Sequence, residues 1–264
     1  MLGWFNFHIY KMSHTYHHRY TLFEEADRED NNRTEPSLSF FYLFQLFTIN
    51  FTGGPYSDGP KTILRQFFKI SLNQYNISEW VEDIYKGQTE ERMKATNWAR
   101  FVLIFHGVFI MLSIGIGEPI LAVIISGHVL LGNWHHYFLN ITQHIGLRSN
   151  VTDFRKCART IKLNPVSEFF YWYMNWHIEH HMFAGVPCYN LKKLHKIVAG
   201  DMPKPKSLYG AWKEMLETWS KQQENPQYEF DTPCPPQRKK SLLDSNDPLL
   251  TSIGDLTPKK MITV

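Results

Sequence analysis

The chain has 264 residues, enough for one domain with a sizeable core and short for two. Its 28 Lys and Arg against 25 Asp and Glu leave a net charge of +3, too balanced to suggest a nucleic-acid partner. Three cysteines without CxxC spacing, Cys157, Cys188 and Cys234, support neither a disulfide framework nor a zinc–thiolate site and fit a reducing, cytosol-facing environment.

Met1 leads directly into an aromatic run without the charged and apolar regions of a signal peptide. Trp4, Phe5, Phe7, Ile9 and Tyr10 read as the foot of an apolar helix whose earlier turns are missing. That helix runs into His14, His17 and His18, an HxxHH box. The charged stretch Glu24, Glu25, Asp27, Arg28, Glu29, Asp30 and Arg33 reads as a solvated connector. Residues 37 to 51 are apolar and aromatic, but short of the roughly 20 residues that cross a bilayer core, so an interfacial placement is expected. Lys61 to Leu72 then shows a basic amphipathic pattern, compatible with a helix on a membrane surface or against a core.

Residues 98 to 139 predict a transmembrane hairpin. Phe101 to Ile116 and Ile120 to Leu131 are almost wholly apolar, and Gly117-Glu118-Pro119 separates them. The connector carries no Lys or Arg, whereas Arg92, Lys94 and Arg100 precede the hairpin and Arg148, Arg155, Lys156, Arg159 and Lys162 follow it. Both ends therefore face the cytosol by the positive-inside rule, and both histidine boxes fall on one side. Five Asn-x-Ser/Thr sequons, at Asn32, Asn50, Asn76, Asn140 and Asn150, lie on that side and are expected to carry no glycan.

Asn140 and His144 are four apart at the cytosolic end of the second arm and share a face. His144 is a candidate ligand, and Asn140 can hold or orient a metal-bound water. His128 lies about 24 Å further along that helix and reads as a packed membrane histidine. His106 and His135 read as structural or interfacial, and ligation by His136 is the lesser expectation. Asn164-Pro165 caps and opens a helix that is expected to continue through Phe169, Phe170, Tyr171, Trp172 and Tyr173 into a second HxxHH box, His177, His180 and His181. Two amphipathic helices follow, about Leu191 to Ala199 and Ser207 to Gln222, with His195 on a solvated face. Residues 1 to 227 form the domain, and 228 to 264, rich in Pro, Ser and Lys, read as a disordered tail.

Residues at i, i+3 and i+4 share a helix face, so each box can aim its imidazoles together. Two copies are hard to explain as packing, because imidazole is polar and the commonest metal ligand in proteins. Seven candidate ligands, His14, His17, His18, His144, His177, His180 and His181, exceed what one structural zinc takes and imply two metals or idle histidines. Ligand type alone does not choose the metal. A polynuclear site at a membrane face beside aromatic residues suits attack on the unactivated C–H bonds of a lipid, which favours redox iron over hydrolytic zinc.

The two boxes, the apolar hairpin between them, Asn140-x-x-x-His144, and the ending Val186-Pro187-x-Tyr189-Asn190-Leu191 together resemble the membrane fatty acid desaturase and hydroxylase family over about residues 1 to 200. The resemblance implies an all-α integral membrane protein: a transmembrane helical hairpin, interfacial helices, and a cytosolic histidine-lined helical cap. It implies a non-haem diiron centre with O₂ as oxidant, a lipid acyl chain as substrate, and electrons from a separate haem-b or ferredoxin-type carrier. His14, His17, His18, His144, His177, His180 and His181 carry over as iron ligands, and Asn140 as a water-mediated one. In a eukaryote the membrane would be that of the endoplasmic reticulum. The family's earlier HxxxH or HxxxxH box and first hairpin have no counterpart upstream of His14, since His8 and His14 are six apart. The departure leaves two readings: a partial chain of a complete enzyme, or a depleted, inactive site. A lipid hydroxylase or ketolase on the same scaffold, and a non-catalytic membrane protein with a structural metal clamp, are the competing functions.

Overall fold

The computed structural model describes residues 3–27, 29, 36–50, 53–54 and 57–236, and the protein is mainly helical over them. The first helix, α1 (Phe7–Tyr20), begins where the Asn6 side chain accepts from the Ile9 N–H and so satisfies one of the free donors of the first turn. It carries the first HxxHH box. Asn6 Nδ2 also donates to the Ala95 carbonyl at 3.0 Å, and Trp98 Nε1 donates to the Phe5 carbonyl at 2.8 Å. These bonds fix the start of α1 against a long helix, α5 (Thr89–Gly115).

Before α5 come α2 (Phe40–Phe47), the two-residue strands β1 (Gly53–Gly54) and β2 (Ser57–Asp58), α3 (Pro60–Ser71) and α4 (Glu79–Tyr85). On α2, Tyr42 and Leu46 turn inward while Phe40, Phe41, Phe44 and Phe47 are exposed, an apolar outer face that suits an interface rather than water. The inner face of α3, Phe67 and Ile70, packs with Val81, Ile84 and Tyr85 of α4 and with Ala95, Ala99 and Val102 of α5. The amphipathic pattern of residues 61 to 72 therefore serves packing on that face, while Phe68 and Leu72 stay exposed.

With 27 residues, α5 is about 40 Å long, and among the described residues it alone is long and apolar enough to cross a membrane. It ends at Gly117, whose φ of +80° is cheap only for glycine and turns the chain back. The returning arm differs from a second continuous span. It forms the seven-residue α6 (Pro119–Ile125) and a short 3₁₀ turn (Gly127–Leu130), because the Ser126 and His128 region bonds sideways instead of along a helix. His106 Nδ1 meets Ser126 Oγ at 2.9 Å, Trp4 stacks on His106 at 4.2 Å, and His128 Nδ1 bonds the Ile125 carbonyl at 2.7 Å. The expected packed role of His128 and the structural role of His106 fit these contacts.

The chain then passes α2 at Gly132, where a Cβ would meet the Leu46 and Gln45 carbonyls, and enters α7 (Trp134–Asn140). After α8 (Phe154–Cys157) and β3 (Ile161–Lys162) comes α9 (Pro165–Phe170), capped as expected by Asn164. The helix does not continue into the second box. Trp172 and Tyr173 take positive φ of 54° and 58°, Tyr173 N–H reaches back to the Glu168 carbonyl, and Asn175 bonds both ways with Ile161. Burial of Tyr171 and that pairing to β3 outweigh the left-handed cost of about 1–2 kcal/mol per residue. The box then starts a new helix, α10 (His177–Met182).

A 3₁₀ turn (Cys188–Asn190), α11 (Leu191–Val198), β4 (Lys206–Ser207) and α12 (Leu208–Glu224) close the fold. Strand β4 pairs parallel with β3, and α12 packs Trp212 and Met215 on Tyr137 and Ile141. Residues 229–231, expected to belong to the tail, are bonded to the fold. Phe230 N–H bonds the Gly146 carbonyl at 2.7 Å, Glu229 accepts from the Ser149 N–H, and Lys156 pairs with Asp231. The rest of that expected segment, 237–264, lies outside the described residues, as do Arg28, Asp30, Asn32 and Arg33.

Candidate metal centre

Helix α1 presents its three histidines toward α10 and the turn after α7, and the seven imidazoles sort into two groups rather than converging on one point. His17, His144, His177 and His181 form a fully buried group, and His14, His18 and His180 a half-buried one. Each box is split between them. In the first group Nε2 of His144 lies 3.2 Å from that of His17 and 2.7 Å from that of His177, which is 3.0 Å from that of His181. In the second, Nε2 of His18 lies 3.1 Å from that of His14 and 3.0 Å from that of His180, and His14 to His180 is 3.4 Å.

The other ring nitrogens say what these contacts are. His144 Nδ1 bonds the Cys157 carbonyl at 2.8 Å and His17 Nδ1 bonds Asp27 at 2.9 Å, both acceptors that require the proton on Nδ1. His14 Nδ1 bonds Glu29 at 3.1 Å. Thr21 Oγ1 donates to the His17 carbonyl and so offers a lone pair to His181 Nδ1, 3.1 Å away. In the His17–His144 pair both Nδ1 atoms carry the proton, so the two Nε2 atoms face each other at 3.2 Å as bare lone pairs, which do not hydrogen-bond. Nitrogens bound about 2.1 Å from one ion lie roughly 3.0–3.5 Å apart, so the donor set fits one metal ion in each group.

The electrostatics agree. Burial lowers the pKa of His144 and His18 to about 3 and that of His180 to about 4, with neighbouring histidines adding to the shift. Burial and the surrounding imidazoles hold His177 and His181 well below the usual value. All five are neutral at pH 7, the form that binds metal. Burial alone would raise the Asp27 carboxyl, but the His17 hydrogen bond and charge, with the Glu29 and Leu22 N–H groups, bring it below the usual range. It is a buried carboxylate.

A cavity of about 500 Å³ adjoins both groups, lined by His14, His17, His144, His177 and His180 and walled by Tyr10, Ile141, Ile145, Phe170, Tyr171 and Trp172. Asn140, on the last turn of α7, lines it beside His144. His136 lines it as well, yet neither group includes His136, and neither includes His8, His106, His128, His135 or His195.

Two assignments change. Within the expected solvated connector Glu24 and Glu25 are exposed, but Asp27 is buried under His17 and Glu29 takes both His14 and Ser13 Oγ. His195 is not on a solvated face either. It bonds the fully buried Glu179 at 2.5 Å and packs on Trp176, while Thr160 Oγ1 donates to the other Glu179 oxygen. Thr21, Asp27, Glu29 and the Glu179–His195 pair thus support the box residues and were not anticipated. An acid ten residues after a box histidine is a faint signal, hidden here among other charges.

The family model described as fatty acid desaturase matches residues 1–212. No curated protein and no solved structure matches the chain. The family match spans most of the sequence and contains every one of the seven histidines, so the chain belongs to the fatty acid desaturase family.

Proposed function

We propose that this chain desaturates a lipid acyl chain at two non-haem iron ions held by His14, His17, His18, His144, His177, His180 and His181, with Asn140 acting through a water. The observation that carries the reading is the pair of adjoining histidine groups opening on an aromatic-walled cavity. Bound iron supplies, with O₂, the oxidising power that removal of hydrogen from an unactivated C–H bond requires. The balance is fixed: adjacent carbons give up two hydrogens, a separate carrier of haem-b or ferredoxin type adds two electrons, two protons are taken up, and O₂ leaves as two waters.

The chain's own residues hold and shield. His17, His14, His181 and His144 keep Nε2 turned inward because Asp27, Glu29, Thr21 and the Cys157 carbonyl occupy Nδ1. Phe170, Tyr171 and Trp172 give the acyl chain an apolar wall and exclude water from the reacting carbons. The exposed aromatics of α2 sit at the bilayer surface, with α5 crossing it and the histidine groups on the cytosolic side, as the flanking Lys and Arg favour.

The test is product analysis with the full chain in liposomes, given O₂, a reduced carrier and deuterium-labelled lipid. Loss of two hydrogens and a new double bond is expected, and His180→Ala is expected to abolish it while the protein stays membrane-bound. An inserted hydroxyl would move the assignment to a hydroxylase. An iron-loaded protein that converts no lipid would refute both.

A further inference from the structure

Three side chains that follow α1, Thr21, Asp27 and Glu29, reach members of both histidine groups. Thr21 Oγ1 meets His181 Nδ1 at 3.1 Å, Asp27 meets His17 Nδ1 at 2.9 Å, and Glu29 meets His14 Nδ1 at 3.1 Å. His17 and His181 belong to the four-histidine group, and His14 to the three-histidine group. The turn is built for this. Leu22 takes φ +58° to reverse the chain after α1, and its N–H donates to Asp27 Oδ2 at 2.7 Å. The Glu29 N–H donates to Asp27 Oδ1 at 2.9 Å. Asp27 therefore accepts on both oxygens from backbone N–H groups while also taking the imidazole. An amide in its place would set its own NH₂ against one of those donors.

The consequence is a continuous bonded relay: His17 imidazole, Asp27 carboxylate, Glu29 backbone, Glu29 carboxylate, His14 imidazole. Its three hydrogen bonds are each 3.1 Å or shorter, and the Glu29 side chain joins the last two covalently. We propose that Thr21, Asp27 and Glu29 form a clamp that couples the two metal positions, with Asp27 as the positioning residue that serves both and Glu29 as the one that serves only the three-histidine position. A cation held by His17 would strengthen the His17–Asp27 hydrogen bond and so fix in place the carboxylate whose Oδ1 holds the Glu29 N–H, which sets the Glu29 side chain behind His14. Loading of the buried position thus prepares the half-buried one. The proposal rests on the reading of the histidine groups as metal positions.

The experiment is a cobalt(II) titration of the full chain in detergent micelles after chelation, followed by visible absorption and by metal counted per chain. Wild type is expected to fill in two steps. Glu29→Gln is expected to leave the first step unchanged and weaken the second roughly 10- to 100-fold, the usual cost of losing an outer partner of a ligand histidine. Asp27→Asn is expected to weaken both steps, and adding Glu29→Gln to it is expected to cost the second step little more. A loss of packing alone would not single out one step. Circular dichroism and gel filtration report folding. Asp27→Glu, which keeps the charge but shifts the carboxylate by one methylene, is expected to give the same order should Asp27→Asn fail to fold. A second step unchanged in the folded Asp27 variant, with wild type binding two ions, would overturn the clamp alone. A wild-type chain that binds no cobalt would overturn the metal reading and the clamp with it.

Discussion

Glu214 on α12 offers the sharpest test of how the site is supported. Its carboxylate faces two cations: Arg159 Nε at 3.0 Å, and Lys206 against its other oxygen. Arg159 is buried, donates as well to the Thr142 and Ile145 carbonyls, and has its pKa lowered to about 10 by burial, so it is charged at pH 7. Those two carbonyls flank His144, so Arg159 clamps the turn that delivers His144 to the buried histidine group. Among the described residues Glu214 is the carboxylate that pairs with Arg159, whose side chain is 5% exposed, and Glu214→Ala removes it. Breaking one side of such a buried pair costs about 3–5 kcal/mol, because the remaining charge is desolvated without compensation. For a domain of this size that is a fall in Tm of roughly 6–20 °C. The control is Glu217→Ala one turn on. The Lys213–Glu217 pair is 3.8 Å apart with both side chains more than 60% exposed, and such pairs contribute about 0–0.5 kcal/mol. Thermal unfolding of both variants in detergent at one scan rate, with metal content measured in parallel, checks the argument. A Glu214→Ala protein no less stable than Glu217→Ala, and with full metal content, would refute it.

Gly146 has φ +75°, and an added Cβ would lie 2.9 Å from Thr218 Cγ2, so Gly146→Ala is expected to cost more than the roughly 1–2 kcal/mol of backbone strain. A double-mutant cycle with Thr218→Ala should recover the steric part. The Cys157 thiol is buried, and burial, with Asp153 nearby, pushes its pKa up to about 12. The folded chain holds that proton while an unfolded one loses it from about 8.5, so this term destabilises the fold as pH rises from there toward 12, by about 1.4 kcal/mol per unit. Alkylation with mass mapping at pH 8 should label half-buried Cys188 and spare Cys157 until the protein unfolds. A tryptophan placed by Phe44→Trp on the exposed face of α2 should be quenched by brominated lipid, and an unquenched signal would remove α2 from the interface.

Local chemistry made much of this architecture legible in the sequence. The i, i+3, i+4 spacing puts both boxes on short helices, Asn164-Pro165 starts a helix, and the apolar run from Phe101 to Gly115 lies in one long helix. What periodicity did not reveal depends on partners distant along the chain. The break at Trp172 and Tyr173 follows from Asn175 pairing with Ile161, and the short returning arm from Ser126 meeting His106. The division of each box between two groups depends on where His144 arrives, which Arg159 and α12 set from the far end of the chain. Asp27 and Glu29 looked like solvent-facing charge because their partners are imidazoles already counted as ligands. A buried carboxylate behind a box histidine is visible only once the turn at Leu22 has closed.

The most direct test of the central claim is the iron content of the purified full chain, measured by elemental analysis beside His14→Ala and His177→Ala, one from each histidine group. Two iron ions per wild-type chain, with a loss in each variant, is the predicted result. Wild-type protein free of iron, or variants that retain as much iron as wild type, would contradict it.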